Sequence, residues 1–456
     1  MLIHPNDNVD VNLENGHKYS VCDIKKGEAV IKYGCPIGHA TRDIAKGEHV
    51  HVHNLATNLS GNLTYTYTPF EAKTPTEGTA RTFLGYRRKN GTVGIRNDIW
   101  IVNTVGCVNK ISERLAALTG AFAFPHPFGC SQLGEDMRTT QKILAAMVNH
   151  PNAGGVLVLR LGCENNHVAA FREVLGEVDP ARVKFLVCQD VEDEIAEGVR
   201  LIEELKAYAA TFTREEIPVS ALTVGLKCGG SDGYSGITAN PLVGRFCDTL
   251  TAMGGSCLLT EVPEMFGAEH LLMARSKDRA VFDKTVDMVN GFKDYYKRHG
   301  QVVYENPSPG NKEGGITTLE EKSLGCVQKA GGSCVVDVLG YGEPATRQGL
   351  TLVNGPGNDL VAVTNLMAAG AHLILFTTGR GTPLGAPVPT VKISTNHALA
   401  TRKQGWIDFD ASPVLEGHAL DDAFFELVLD VANGTQTANE RLGYREISIF
   451  KDGVTL

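Results

Sequence analysis

From residue 98 onward the chain repeats one pattern: a short apolar run, a glycine-bearing turn, and a helix-length amphipathic segment. The runs are DIWIVNTV (98–105), GVLVLRL (155–161), VKFLVCQD (183–190), ALTVGL (221–226), SCLLTEV (256–262), SCVVDVL (333–339) and HLILFTT (372–378). Apolar runs this short, without polar alternation, are strands covered on both faces. Segments 192–210 and 268–299 carry apolar stripes at helical spacing. Strands alternating with such helices predict an α/β fold built on parallel sheets. A polar break, TREEIPVS (213–220), divides it into two lobes, 83–217 and 218–456.

The first 70 residues read differently. DIKKGEAVIKYG (23–34) recurs as DIAKGEHVHVHN (43–54), each copy a Lys-Gly turn feeding an alternating strand. Two such units predict a small all-β module over 1–70. PFEAKTPTEGTAR (69–81) has no apolar periodicity and reads as a linker, set at 71–82.

Composition excludes several functions. A formal charge of −9 with no compensating Lys/Arg run argues against nucleic-acid binding. No apolar stretch reaches the roughly 18 residues of a membrane span. The amino terminus, MLIHPNDNVD, lacks a signal-peptide pattern. Eleven cysteines without a CxxC pair read as reduced thiols of a cytoplasmic protein, not as a zinc knuckle or disulfide framework.

Several strand candidates end alike: TVGCVN at Cys107, RLGCEN at Cys163, LKCGGSDG at Cys228 and TTGRGTP at Arg380, with HPFGCSQLG adding His126 and Cys130 on a fifth loop. In open α/β sheets ligands sit beyond the carboxyl ends of strands, where glycines let the backbone approach. Gathered at one edge, five such loops would form a site. Cys107, Cys130, Cys163 and Cys228 adjoin glycine at element ends and are its candidate thiols. Cys188, Cys247, Cys257, Cys326 and Cys334 lie inside apolar or helical segments and read as packing residues.

His49, His51 and His53 alternate along a strand and read as an exposed polar face. His4 and His17 lie in polar turns, and Pro125 and Pro127 stiffen the loop of His126, which suits a positioned base. Thr378, Arg380 and Thr382 in their glycine frame, and Asn311 with Lys312 in NPSPGNKEGG, suit a carboxylate or phosphate. Glu261 and Glu264 follow another strand, available as acid, base or metal ligands. No P-loop and no strand-linked GxGxxG is present, so nothing indicates a nucleotide.

Together, GYRRKNGTVGIRND, TVGCVN, HPFGCSQLG, VLRLGCENN, CGGSDGYSGITANP, LTEVPEMFGAE, NPSPGNKEGG and FTTGRGTP resemble the altronate dehydratase and galactarate dehydratase family, over essentially the whole chain. The amino-terminal module, with DNV, GHK and YGCPIGHA, is similar to the SAF domain. The resemblance implies a hydro-lyase of hexuronate breakdown, converting D-altronate to 2-dehydro-3-deoxy-D-gluconate and water. It also implies a need for Fe(2+), with Mn(2+) able to substitute. The expected partners are a sugar-acid substrate and neither nucleic acid nor membrane, with a homo-oligomer allowed.

Removing a proton alpha to a carboxylate requires a metal or dense hydrogen bonding for the developing dianion. Lys312, His126 and His17 are the candidate catalytic groups. His4, Ser231, Asp232, Asn311, Thr378, Arg380 and Thr382 are the candidate substrate contacts. For the metal, imidazole and carboxylate preference points to His4, His17, His126 and Glu164. Cys107, Cys130 and Cys163, with Glu164 beside them, suit an iron–sulfur cluster with one open iron. The rival functions are a dehydratase or sulfo-lyase of another 2-hydroxy acid, and a sugar-acid-binding protein.

Overall fold

The computed structural model describes residues 1–70 and 81–456. The fold is α/β: a small amino-terminal all-β module followed by two parallel-sheet lobes. Residues 71–80, which hold most of the expected linker, lie outside the described residues.

The module is two three-stranded antiparallel sheets. One pairs Val9–Val11, Lys18–Ser20 and His49–Val50; the other pairs Ala29–Lys32, Cys35–Ala40 and Leu55–Ala56. The sequence repeat has a structural counterpart. The Lys26 amide donates to Asp43 at 2.9 Å and the Lys46 amide donates to Asp23 at 2.9 Å. Each Lys-Gly turn is thus tied to the aspartate that opens the other copy, and Ile24 bridges Ile44 between them.

In the first lobe four parallel strands run in the order Phe122–Ala123, Asp98–Asn103, Ala153–Arg160, Val183–Val187. The polar break is not a loose divider. Its Glu215–Pro218 pairs antiparallel with Thr82–Arg87, forming a seam between the lobes. The expected helix over 268–299 is two helices, Glu269–Met273 and Arg279–Arg298. The Asp278 side chain caps the second, accepting from the Val281 amide at 2.9 Å.

The second lobe carries seven parallel strands, ordered Val335–Leu339, Gly349–Val353, Ser256–Leu259, Thr223–Cys228, Leu373–Thr378, Thr390–Ser394, Phe409–Asp410. Gly349–Val353, Thr390–Ser394 and Phe409–Asp410 were not expected, because threonine, serine, lysine or aspartate interrupts their apolar runs. From Thr223–Cys228 the chain adds Ser256–Leu259 on one side and later returns with Leu373–Thr378 on the other. That reversal of strand order opens a crevice at the carboxyl end of Thr223–Cys228, where the next loop leaves the sheet.

One apolar cluster, including Trp100, Leu144 and Val158 of the first lobe and Leu366, Ile374 and Phe376 of the second, joins the two lobes. The module docks on the second lobe through buried ions: Glu321 accepts from Lys18 and from Lys32, each at 2.8 Å. A Cβ on Gly233 would lie 1.9 Å from the Gly16 carbonyl oxygen, so this contact of backbones requires glycine. Among the described residues, no helix is long and apolar enough to cross a membrane.

Candidate active site

The crevice at the strand reversal opens into a cleft of about 470 Å³, lined by Gly229, Gly230, Asn306, Asn311, Lys322 and Asp359 among others. Each wall has a local cause. Gly229 and Gly230 continue Thr223–Cys228 past the sheet edge. Asn311 lies on the short helix Pro309–Glu313, whose start is closed by a Ser308/Asn311 capping box. Asp359 opens the helix Asp359–Ala368, whose start is capped by Asn358 accepting from the Val361 amide at 3.1 Å.

Beneath the cleft lies a dense, largely buried cluster of charge. Lys227, on an apolar strand, pairs with Glu261 and, at 2.8 Å, with Asp359. Cys228 Sγ lies 3.3 Å from Cys326 Sγ, and both sulfurs lie 3.2 Å from Glu264 Oε2. Lys329 donates to Cys228 Sγ at 2.9 Å, and Lys322 donates to Glu264 Oε1 at 2.7 Å. Lys322 also donates to Asn306 Oδ1 at 3.0 Å and Asn311 Oδ1 at 3.3 Å, which carries the cluster up into the cleft. Buried charges persist only when matched, and here lysines and carboxylates match one another.

The titration of the cluster follows from those contacts. The Cys326 thiol hydrogen-bonded to it, with Lys329 and Lys227 nearby, brings the Cys228 thiol down to about 6 despite its burial. The same contact and burial push Cys326 well up. Against burial, Lys322, Lys227 and Lys329 keep the Glu264 carboxyl well below the carboxylate range. Burial, and then the charge of Glu264, push Glu261 up. Glu261 also holds a left-handed backbone, φ 73° and ψ 61°, a strained conformation for a residue with a Cβ and common where a site imposes geometry.

Among the described residues, Cys228, Glu264 and Cys326 are the one trio of histidine, cysteine and acidic side chains whose donor atoms all lie within 4.8 Å of one another. Two sulfurs and a carboxylate oxygen are a donor set that fits a divalent transition ion.

The sequence-derived candidates divide between two sheets, so the five similar strand endings do not form one edge. Cys107, Cys130 and Cys163 are exposed on neighbouring loops of the four-stranded sheet. They are tied through backbone bonds from Gly106 to Phe128 and from Asn166 to Gly129. No hydrogen bond or ion pair among the described residues joins these loops to the cleft. Glu164 is consumed locally: it pairs with Arg160 at 3.0 Å and accepts from Thr104 Oγ1 at 2.8 Å and the Gly162 amide at 2.7 Å. His126 must be corrected as a free base. Its Nε2 donates to the Asn103 carbonyl at 2.8 Å and its Nδ1 accepts from the Phe128 amide at 3.2 Å. Both ring nitrogens therefore hold the loop in place, and burial lowers its proton affinity.

Around the cleft, Asn311 Nδ2 donates to the Ser231 carbonyl at 2.9 Å, while Ser231 Oγ is buried without a partner. Asp232 must also be corrected as a substrate contact. It accepts from the Tyr234 amide, Ser235 Oγ, Thr395 Oγ1 and Asn396 Nδ2 at 2.9–3.1 Å, so it clamps its own loop to the one after Thr390–Ser394. Thr378 Oγ1 accepts from the Gly381 amide at 2.9 Å, and Thr382 Oγ1 from the Leu384 amide at 3.4 Å. These two threonines shape the Arg380 loop. Arg380 itself is exposed and pairs with Glu313 at 3.2 Å on the rim.

Lys312 lies on the same short helix, and its carbonyl accepts from His51 Nε2 at 2.9 Å. His17 Nε2 donates to the Glu313 carbonyl at 3.2 Å, and His49 Nε2 donates to His17 Nδ1 at 3.0 Å. His49 and His51 are therefore not an exposed polar face; they help seat the module on the helix Pro309–Glu313. His4 stays within its own module, accepting from the Asn6 amide at 3.2 Å.

Sequence reading missed Cys326, Lys227, Lys322, Lys329 and Asp359. The available signal was charge inside apolar or wholly buried segments. Lys227 interrupts a strand, and all eight residues of Leu319–Cys326 are buried, Glu320, Glu321 and Lys322 included.

Residues 219–455 match the family model described as D-galactarate/altronate dehydratase, C-terminal. Residues 85–210 match that of the D-galactarate dehydratase/altronate hydrolase second domain, and 4–58 that of the altronate/galactarate dehydratase SAF domain. The chain belongs to the altronate/galactarate dehydratase family. Within this family, an altronate dehydratase of Escherichia coli strain K12 is 54% identical, covering 99% of this chain and 94% of that protein. An altronate dehydratase of Bacillus subtilis strain 168 is 52% identical, covering 98% and 93%. A galactarate dehydratase (L-threo-forming) of Escherichia coli strain K12 is 32% identical, covering 96% and 90%. The family's carboxy-terminal model spans both the cleft and the buried cluster.

Proposed function

We propose that this chain is a hydro-lyase that dehydrates D-altronate to 2-dehydro-3-deoxy-D-gluconate, acting in hexuronate catabolism in the cytoplasm. The observation that carries the reading is the polar, lysine-floored cleft at the strand reversal, in a chain 54% identical over nearly its whole length to an altronate dehydratase.

The chemistry asks for three things. The C2 proton must leave, the C3 hydroxyl must depart as water, and the charge developing on the carboxylate must be held. Lys322, kept cationic by Glu264, lies where that charge would develop. Asn306, whose Oδ1 accepts from Lys322, offers its amide nitrogen to the hydroxyls of a polyol chain. Arg380 stands at the rim to receive an anionic group. The Lys322–Glu264 ion pair at 2.7 Å fixes that cation at the cleft floor. The enol released by loss of water then ketonises.

Ferrous iron, with manganese able to replace it, is the cofactor of this reading. Cys228, Cys326 and Glu264 would hold it, and when bound it would supply Lewis-acid polarisation.

A coupled keto-acid assay with altronate, galactarate and sulfolactate, each with Fe(2+) under reducing conditions, tests the reading. Altronate is expected to be turned over with the highest kcat/KM. Turnover of another acid with none on altronate reassigns the substrate. Saturable altronate binding with no product from any of the three would leave a sugar-acid-binding protein.

A further inference from the structure

We infer that Cys228, Cys326 and Glu264 are the ligands of one buried divalent metal site, selective for a thiophilic ion, beneath the floor of the cleft. The inference assigns a place to the ion of the proposed function and rests on that reading only for the ion's identity.

Geometry comes first. Around a tetrahedral ion with sulfur at about 2.3 Å and oxygen at about 2.1 Å, the ligand atoms stand roughly 3.5–3.8 Å apart. The three separations here are 3.2, 3.2 and 3.3 Å. An ion therefore requires the donors to spread by only a few tenths of an ångström.

Charge agrees with geometry. Lys227, Lys322 and Lys329 face Glu261, Glu264 and Asp359, three charges of each sign around two thiols. The lysines are thus met by carboxylates, and the two sulfurs and Glu264 Oε2 are left facing one another.

Outer contacts also match a ligand set. Lys329 donates to Cys228 Sγ, and Lys322 donates to the Glu264 oxygen that faces away from the sulfurs. Such bonds orient ligands and tune their basicity. Glu264 and Lys322 both line the cleft, so the site adjoins the substrate space.

The other candidate sets fare worse. As ligands of a single ion, Cys107, Cys130 and Cys163 do not qualify, since their sulfurs do not lie within 4.8 Å of one another. Glu164 is held by Arg160, and His126 uses both ring nitrogens. His17 and His51 spend their Nε2 atoms on backbone carbonyls. Two sulfur donors favour ferrous, cobalt or zinc ions over manganese.

Cobalt(II) titration of the full-length apoprotein, prepared anaerobically with reductant and chelator, tests the assignment. A near-ultraviolet sulfur-to-cobalt charge-transfer band is expected to saturate at one equivalent. C228S and C326S should each lower it about twofold, and C163S should leave it unchanged. X-ray absorption of the zinc-loaded wild type should show two sulfur neighbours at about 2.3 Å, a reading that needs no substitution to fold. Absence of the band, full intensity in both serine variants, its loss in C163S, or a shell of only nitrogen and oxygen overturns the assignment. No measurement here uses altronate. Iron-dependent turnover without the band sinks this site and spares the function; the band without turnover does the reverse.

Discussion

Lys227 and Lys392 both sit on strands of the seven-stranded sheet, yet their surroundings give them opposite roles. Lys227 is matched by Glu261 and Asp359 and stays charged. Among the described residues Lys392 has the Thr382 carbonyl at 3.2 Å and the Phe376 ring as its contacts, and burial brings its ammonium down to about 7. A lowered lysine means that the unfolded chain binds more protons between that value and the ordinary lysine range. Stability of the wild type relative to K392M should therefore rise by up to about 1.4 kcal/mol per pH unit from about pH 7 upward. Urea unfolding of both proteins at pH 7, 8 and 9 reads the slope, and a flat difference would contradict a neutral Lys392. At the cleft floor, K322M removes the cation held for the developing dianion. It should lower kcat/KM on altronate by about 100-fold or more, with an unchanged circular dichroism spectrum; wild-type turnover would exclude Lys322 from the chemistry.

At the scale of elements, the helix Leu319–Cys326 links two functions. Its Glu321 anchors the amino-terminal module through Lys18 and Lys32, while its Lys322 and Cys326 belong to the cluster under the cleft. Burial opposes ionisation of Glu321, but the two lysine charges outweigh it and hold the carboxyl well below its usual range. A depressed carboxyl contributes stability above its ordinary pKa, and that contribution is lost as pH falls through the folded value. E321Q leaves two buried lysines without their counter-ion, and should cost about 3–5 kcal/mol in chemical denaturation at pH 7. The loss should shrink in acid, where wild-type Glu321 also protonates. Equal stability at pH 7 would mean that the module is seated by its histidine and backbone contacts without help from Glu321. This helix was the least legible element in the sequence. A helix buried on every side shows no apolar stripe, so its charged residues did not stand out and Cys326 read as packing.

At the scale of the whole molecule, the carboxy terminus crosses back to the first lobe. Asp136 accepts from the Asp452 and Gly453 amides at 2.9 and 2.8 Å, and Thr455 bridges Gln132. Deleting residues 452–456 should raise amide exchange about tenfold or more across 129–136, while the seven-stranded sheet keeps its protection. Unchanged exchange there would show that the loop carrying Cys130 is held by the Gly106 and Asn166 contacts instead.

What the amino-acid sequence determined by itself is local in origin. The strand–helix alternation, the repeat tied by Asp23 and Asp43, and the glycine-rich ends of Thr223–Cys228 and Leu373–Thr378 follow from side-chain pattern and backbone freedom over a few residues. Which strand ends share a site is a different kind of information. It depends on strand order, and only the tertiary structure placed the reversal at Thr223–Cys228 and put the Cys107, Cys130 and Cys163 loops on another sheet. Cys228 and Cys326 meet across 98 residues of chain because a helix packs beneath a strand end. Nothing within either segment encodes that approach, since burial and long-range packing set it rather than local preference.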